Sequence, residues 1–200
     1  MKLPDLQVKP SNTEMSTLVE TNKVLLNPSL TDDWRVRIMV KEKIEQAAKQ
    51  LPKGLCLMVF EAYRSIERQQ MMWDAVYQNV QLASPHFNAQ QIYDEAAKWI
   101  SPPDGFGSGH LSGAAIDVTL ATPQRDLVDM GTGVQEFNSL TVTKAAVSQK
   151  VKDNRDILVS CLQSQGLINY PQEWWHFSYG DRLWAELSER DYIYFTPHNI

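Results

Sequence analysis

The residues best suited to chemistry begin with a glycine-rich stretch, Gly107-Ser108-Gly109-His110-Leu111-Ser112-Gly113, which runs straight into Ala114-Ala115-Ile116-Asp117-Val118-Thr119-Leu120. If the second half is a strand, period-two alternation puts Ile116, Val118 and Leu120 on one face and Ala115, Asp117 and Thr119 on the other. Asp117 then turns away from the core side, and the small residues around it leave room for a ligand or a backbone to approach. A carboxylate at a strand end near an imidazole in a glycine-rich loop is a fitting pair of hard and borderline ligands for zinc. For an arbitrary pair of these types, a surface histidine and a solvent-facing aspartate are the commoner arrangement.

A second group is Glu173-Trp174-Trp175-His176. A carboxylate close in sequence to an imidazole can set a general base beside a metal ligand, as hydrolysis by an activated water requires. Positions three apart share a helix face but oppose each other on an ideal strand, and paired tryptophans favour extended structure. The pairing therefore needs a bend. Without one, the tryptophans pack in the core and their polar neighbours lie at the surface. A third group is Arg64, which could donate to the oxyanion that develops when a peptide carbonyl is attacked, or could make a surface ion pair.

These groups need elements to hold them. After the turn Pro52-Lys53-Gly54, the apolar run from Leu55 to Phe60 reads as a buried strand that delivers the chain to Glu61-Ala62-Tyr63-Arg64-Ser65. Ser65 caps a helix whose Met72, Trp73, Val76, Tyr77 and Val80 recur at helical spacing, so Arg64 sits at a strand-to-helix junction. Upstream, Thr31 followed by Asp32 and Asp33 predicts the N-cap of a first helix with Ile44, Ala47, Ala48 and Leu51 on its apolar face. A third helix is expected from Asn88, with Gln91 completing a capping box and Ile92, Ala96, Trp99 and Ile100 buried. A longer one is expected from about Lys144 to Gln165, with Gly166 beyond its end. Strand-like aromatic segments surround Trp174 to Tyr179 and Tyr192 to Phe195. Strands and helices are interspersed without regular βαβ alternation, which predicts an α+β class with a mainly antiparallel central sheet flanked by helices.

A chain of 200 residues, 43% hydrophobic, is read as a single domain over 1–200, residues 1–30 being an N-terminal extension packed on it. The 19 Lys and Arg against 24 Asp and Glu give a net charge of -5, a poor match for nucleic acid or anionic lipid. No stretch reaches membrane-spanning length and none resembles an export signal, so neither nucleic acid nor membrane insertion is expected, and a cytoplasmic location is. Cys56 and Cys161 lie in apolar patterned segments and read as buried free thiols.

Together these residues resemble the D-alanyl-D-alanine dipeptidase and D,D-carboxypeptidase group of zinc peptidases, whose fold is shared with hedgehog signalling domains. The pattern Ser-x-His-x-x-Gly-x-Ala-x-Asp is met at each fixed position by Ser108, His110, Gly113, Ala115 and Asp117. Chance would produce such a match with odds on the order of 10⁻⁴ at ordinary residue frequencies. Glu173-Trp174-Trp175-His176 and Tyr63-Arg64 fall in the order the group requires. The resemblance implies one Zn²⁺ held by His110, Asp117 and His176, with Glu173 as base, Arg64 as oxyanion donor and Ser108 as a substrate contact. His86 and His198 match nothing in the pattern and stay outside the site.

The resemblance also implies a small D-amino-acid peptide as partner, in the first place the free dipeptide D-Ala-D-Ala. Dipeptidases of this group hold the free amino group with an acid in a Met-Gly-x-x-Phe-Asp-like stretch. Met130-Gly131-Thr132-Gly133-Val134-Gln135-Glu136-Phe137 reads as one residue longer, which makes Glu136 the candidate acceptor. No aromatic-rich N-terminal cover is evident, so a D,D-carboxypeptidase or cell-wall-peptide hydrolase is the nearest alternative. A zinc-binding interaction domain of the hedgehog kind is the alternative outside catalysis, and it would need the ligands without both Glu173 and Arg64. Oligomeric state is not legible.

Overall fold

In the computed structural model, which describes residues 6–105 and 107–197, two strands at the centre bury every residue they contain: β5 (Cys56–Glu61) and β6 (Ala115–Ala121). Each is a near-continuous apolar run interrupted only by chemistry-bearing residues, the pattern of a strand covered on both faces. They pair antiparallel with Val59 opposite Val118 and Glu61 opposite Asp117, so Phe60 is an extra residue bulged out of register. A bulge of this kind re-aims the side chains beyond it. Here it sets Glu61 directly beside Asp117.

The rest of the five-stranded sheet builds outward from this pair in the order β3-β5-β6-β8-β7. Strand β3 (Val24–Leu26) joins β5 in parallel, while β8 (His176–Ser178) and β7 (Ile168–Asn169) continue antiparallel from β6. The sheet is thus mainly antiparallel, with helices packed around it, as the α+β pattern predicts. N-terminal residues supply more than a covering: besides β3, β1 (Gln7–Val8) pairs with β9 (Tyr192–Ile193), and β2 (Met15–Thr17) pairs with β4 (Arg35–Arg37).

One sheet face presents Leu57, Val59, Ile116, Val118, Leu120 and Phe177 to helices α1 (Ile38–Gln50) and α4 (Gln149–Gln163), which supply Val40, Ile44, Ala47, Leu158 and Leu162. The opposite face carries Met58, Phe60 and Ala121 with Leu25, and it is on this face that Asp117 projects. Helices α2 (Ile66–Ala83) and α3 (Ala89–Ala96) pack on each other as a hairpin, and α5 (Arg182–Leu187) lies under the aromatic group of Tyr179, Tyr192 and Tyr194. Among the described residues no helix is long and apolar enough to cross a membrane.

Several boundaries differ from expectation for identifiable reasons. Thr31 does not start a helix: its hydroxyl accepts from the Asp33 N–H in a local turn, residues 35–37 then pair as a strand, and α1 begins at Ile38 without a side-chain cap. Helix α4 begins after Ser148, whose hydroxyl accepts from Val151 N–H, rather than near Lys144. Trp99 is 58% exposed instead of buried, because α3 ends at Ala96 and the chain turns away. Ser65, the Asn88/Gln91 capping box and the positive φ of Gly166 stand where the sequence placed them. Cys56 and Cys161 are buried free thiols.

Candidate active site

His110 sits in a single 3-10 turn, Gly109–Ser112, between the glycine-rich loop and β6. Ser108 Oγ accepts from His110 N–H at 3.3 Å, capping the turn, and Gly113 closes it at φ +68. Gly109 meets a different demand: a Cβ there would collide with Asp181 Oδ2 and lie 2.9 Å from Ala115 Cβ. The residues after β5 complete the setting. Ala62 carbonyl oxygen lies 2.7 Å from His110 Nδ1, and Arg64 N–H donates to the His110 carbonyl at 3.2 Å. A ring nitrogen that close to a carbonyl carries the proton, which leaves Nε2 as a lone pair.

That lone pair is aimed at Asp117. His110 Nε2 lies 3.3 Å from Asp117 Oδ1, and His176 Nδ1 lies 3.0 Å from the same oxygen. Asp117 faces His176 across the β6–β8 ladder, so sheet register fixes this pair. The ligand atoms of His110, Asp117 and His176 all lie within 4.8 Å of one another, and all three residues are buried. His110 Nε2 is fully enclosed with no hydrogen-bond partner among the described residues. A buried acceptor pointed at a carboxylate oxygen is costly unless a cation lies between them. Two imidazoles and one carboxylate are also the donor set of a catalytic zinc site that keeps a position open. The residues present therefore fit the metal.

In the metal-free site the three groups hold one another's charge. Burial opposes ionisation of Asp117, but the two imidazoles hold its carboxyl well below the usual carboxylate range. Burial likewise disfavours a charged His176, yet the hydrogen bond and charge of Asp117 raise it above the ordinary imidazole value. Glu173 moves the other way: burial pushes its carboxyl up, and the nearby Asp117 charge adds to this. A carboxyl raised in this way holds a proton more readily than a free one, as a group that takes and returns a proton must.

The bend that Glu173 and His176 require is present. His176 N–H donates to the Glu173 carbonyl at 3.2 Å, so Trp174 and Trp175 form a turn and not a strand. Asn169 holds it from below, its Nδ2 donating to the carbonyls of Glu173 at 3.1 Å and His176 at 3.0 Å. Trp174 pins it from the side through Nε1 to Thr132 Oγ1 at 2.8 Å. Glu173 thereby lines the same cavity as His110, Asp117, His176, Arg64 and Ser108, a space of about 1230 Å³.

Arg64 is buried at 6% exposure, gripping Glu61 through Nε at 3.0 Å and Nη2 at 2.5 Å. Glu61, fully buried, also receives Arg68 at 3.2 Å and Gln135 Nε2 at 2.5 Å. Gln135 donates to Asp117 Oδ2 as well, at 2.7 Å, which turns the other carboxylate oxygen toward the histidines. Glu136 is not brought to the site: it is exposed, and its carboxylate accepts from Gly133 N–H. Counted without an extra residue, the Met-Gly-x-x-Phe-Asp pattern lands on Gln135, so the loop delivers a neutral amide where the resemblance implied an acid. His86 takes no part in the cavity, and His198 lies outside the described residues.

Asp181 and Asn169 were not foreseen. Asp181 Oδ1 caps α5 through Trp184 N–H at 2.8 Å, while Oδ2 is buried without a hydrogen-bond partner among the described residues and burial pushes the carboxyl up. Asp181 before Arg182-Leu183-Trp184 is a local N-cap signal, whereas Asn169 is shown only by its contacts with the turn that follows. The family description D-ala-D-ala dipeptidase, within peptidase M15, matches residues 31–196. The chain belongs to the D-Ala-D-Ala dipeptidase family.

Family members of known name are similar over much of that span. A D-alanyl-D-alanine dipeptidase of Synechocystis sp. is 30% identical over 154 residues, covering 64% of this chain and 61% of the relative. One of Escherichia coli is 28% identical over 145 residues, covering 70% and 65%. The chain thus spans under two thirds of the length of these relatives. A mutant of the vancomycin resistance D,D-pentapeptidase VanY from a VanB-type resistance cassette, solved in complex with Zn(II), aligns with a TM-score of 0.46 at 18% identity, covering 94% of this chain and 96% of that one.

Proposed function

We propose that this protein hydrolyses the peptide bond of D-Ala-D-Ala, using one zinc ion held by His110, Asp117 and His176. The observation that carries the reading is the enclosed His110 Nε2, 3.3 Å from Asp117 Oδ1 with no hydrogen-bond partner among the described residues. Zinc bound there would polarise the scissile carbonyl and bring the pKa of water down to about 7. Glu173, its carboxyl raised by burial, takes the proton of the attacking water and returns it to the leaving amine. Arg64 donates to the oxygen of the attacked carbonyl as negative charge develops. Ser108 caps the turn under His110 by accepting from its N–H, which leaves its own O–H, on the cavity wall, to donate to a substrate polar group.

Longer substrates ending in D-Ala-D-Ala form the second reading, favoured by two features. The cavity exceeds the roughly 300–1,000 Å³ of small-molecule sites and continues along Met72, Val76, Val80 and Phe87 of the helical hairpin. Gln135, unlike an acid, cannot neutralise a free ammonium. Zinc-loaded protein given D-Ala-D-Ala and its N-acetylated form separates the readings. Faster release of D-Ala from the free dipeptide supports the first reading, and faster release from the blocked peptide supports the second. If chelated and zinc-loaded protein are equally inert on both, the peptidase reading is lost.

A further inference from the structure

Helix α2 has only two buried residues, Trp73 and Gln69. Trp73 packs within the hairpin, against Tyr77 and Tyr93. Gln69 does something else: it is completely enclosed, accepts from Arg64 Nη1 at 2.8 Å, and donates through Nε2 to the Ser101 carbonyl at 2.6 Å. A buried amide with both ends bonded adds little net stability over a well-packed apolar side chain. What it contributes is direction.

The inventory of Arg64 shows what is being directed. A guanidinium has five N–H groups. Nε and Nη2 each give one to Glu61, and Nη1 gives one to Gln69. One N–H on each terminal nitrogen is left without a partner among the described residues, on a side chain that lines the cavity. Glu61 grips one edge of the planar group and Gln69 a terminal nitrogen beyond it, so the plane cannot swing about the Glu61 contact. Through Ser101, the same amide ties this orientation to the segment leading from α3 toward Ser108 and His110.

We propose that Gln69 is a positioning residue for Arg64, aiming its two remaining N–H groups at the carbonyl oxygen under attack; this rests on the reading of Arg64 as the oxyanion donor. The test is a double-mutant cycle on the zinc-loaded protein with D-Ala-D-Ala or its N-acetylated form, whichever is turned over faster. Gln69→Leu lowers kcat by about 10- to 100-fold, as misplacement of a catalytic group does, while KM moves by less than about threefold and zinc content is unchanged. In an Arg64→Ala background the same substitution costs no more than about twofold further, because the group it aims is gone. Losses that multiply in the double variant overturn the proposal. If Gln69→Leu does not fold, Gln69→Met carries the same cycle. A parent protein with no zinc-dependent turnover overturns the peptidase reading itself, an outcome distinct from turnover in which the two losses multiply.

Discussion

The central sheet and the α2–α3 hairpin both face the cavity, but they are built in opposite ways. Strands β5 and β6 bury all their residues, and the proposed ligands Asp117 and His176 are fixed by the pairing of one strand with the next. Helix α2 is eighteen residues long with two of them buried, while Met71 at 64% and Leu82 at 80% exposure stand in solvent. Groups that must keep their geometry to within tenths of an ångström are carried by the part of the molecule that has no room to move. The apolar wall that would meet the body of a substrate is carried by the more exposed part, and two neighbouring residues of α2 tie it to the site: Arg68 through Glu61 and Gln69 through Arg64.

Substitutions on the two sides should differ sharply. On the sheet side the largest effect is expected from Glu173→Ala, which lowers kcat by about 10²- to 10⁴-fold, the usual contribution of a general acid–base group, with zinc stoichiometry retained. Near-normal turnover would remove Glu173 from the role of base. Leu120→Ala, at a fully buried position of β6, should cost about 2–5 kcal/mol in urea unfolding. Leu82→Ala, on the exposed face of the hairpin, should stay within about 0.5 kcal/mol. Equal costs for the two leucines would erase the contrast. Amide exchange gives a graded version: the hairpin should exchange ahead of β5 and β6.

A smaller, pH-dependent effect belongs to Asp181. Its folded-state pKa is raised by burial, so ionising it opposes folding once the pH exceeds its unfolded value. Asp181→Asn keeps the α5 cap and removes that charge. Metal-free Asp181→Asn should therefore melt higher than the parent at neutral pH, with the gain vanishing below the ordinary Asp pKa. Zinc-loaded protein should show less gain or a loss, since the charge then faces a cation. A gain independent of pH would show that the Asp181 charge is not the cause.

How far the sequence foretold this arrangement depended on the range of the interactions involved. Ser65, Asn88 with Gln91, and the alternation around Asp117 are signals carried within a few residues, and each marks its element correctly. Thr31 misleads because Thr-Asp-Asp serves equally as a turn, and the pairing of residues 35–37 with residues 15–17 decides the matter. The Glu173–His176 turn is invisible locally because it is held by Asn169, Thr141 and Thr132. Gln135 carries no charge to mark it beside Glu136, but its φ of +59 turns it inward and leaves Glu136 outside.

Arg37 gives the site a place in time as well as in space. Its guanidinium donates to the carbonyls of Thr13, of Ser112 at the end of the His110 turn, and of Thr196, contacts separated in sequence by 24, 75 and 159 residues. Each contact closes a loop, the longest joining the two ends of the chain. The β5–β6 and β6–β8 pairings also close long loops, so the turn bearing His110 is locked along with the sheet and not by a local step. Tight metal uptake should then follow the early appearance of helix during refolding and coincide with formation of the native sheet, and the rate at which metal becomes tightly held should report that step.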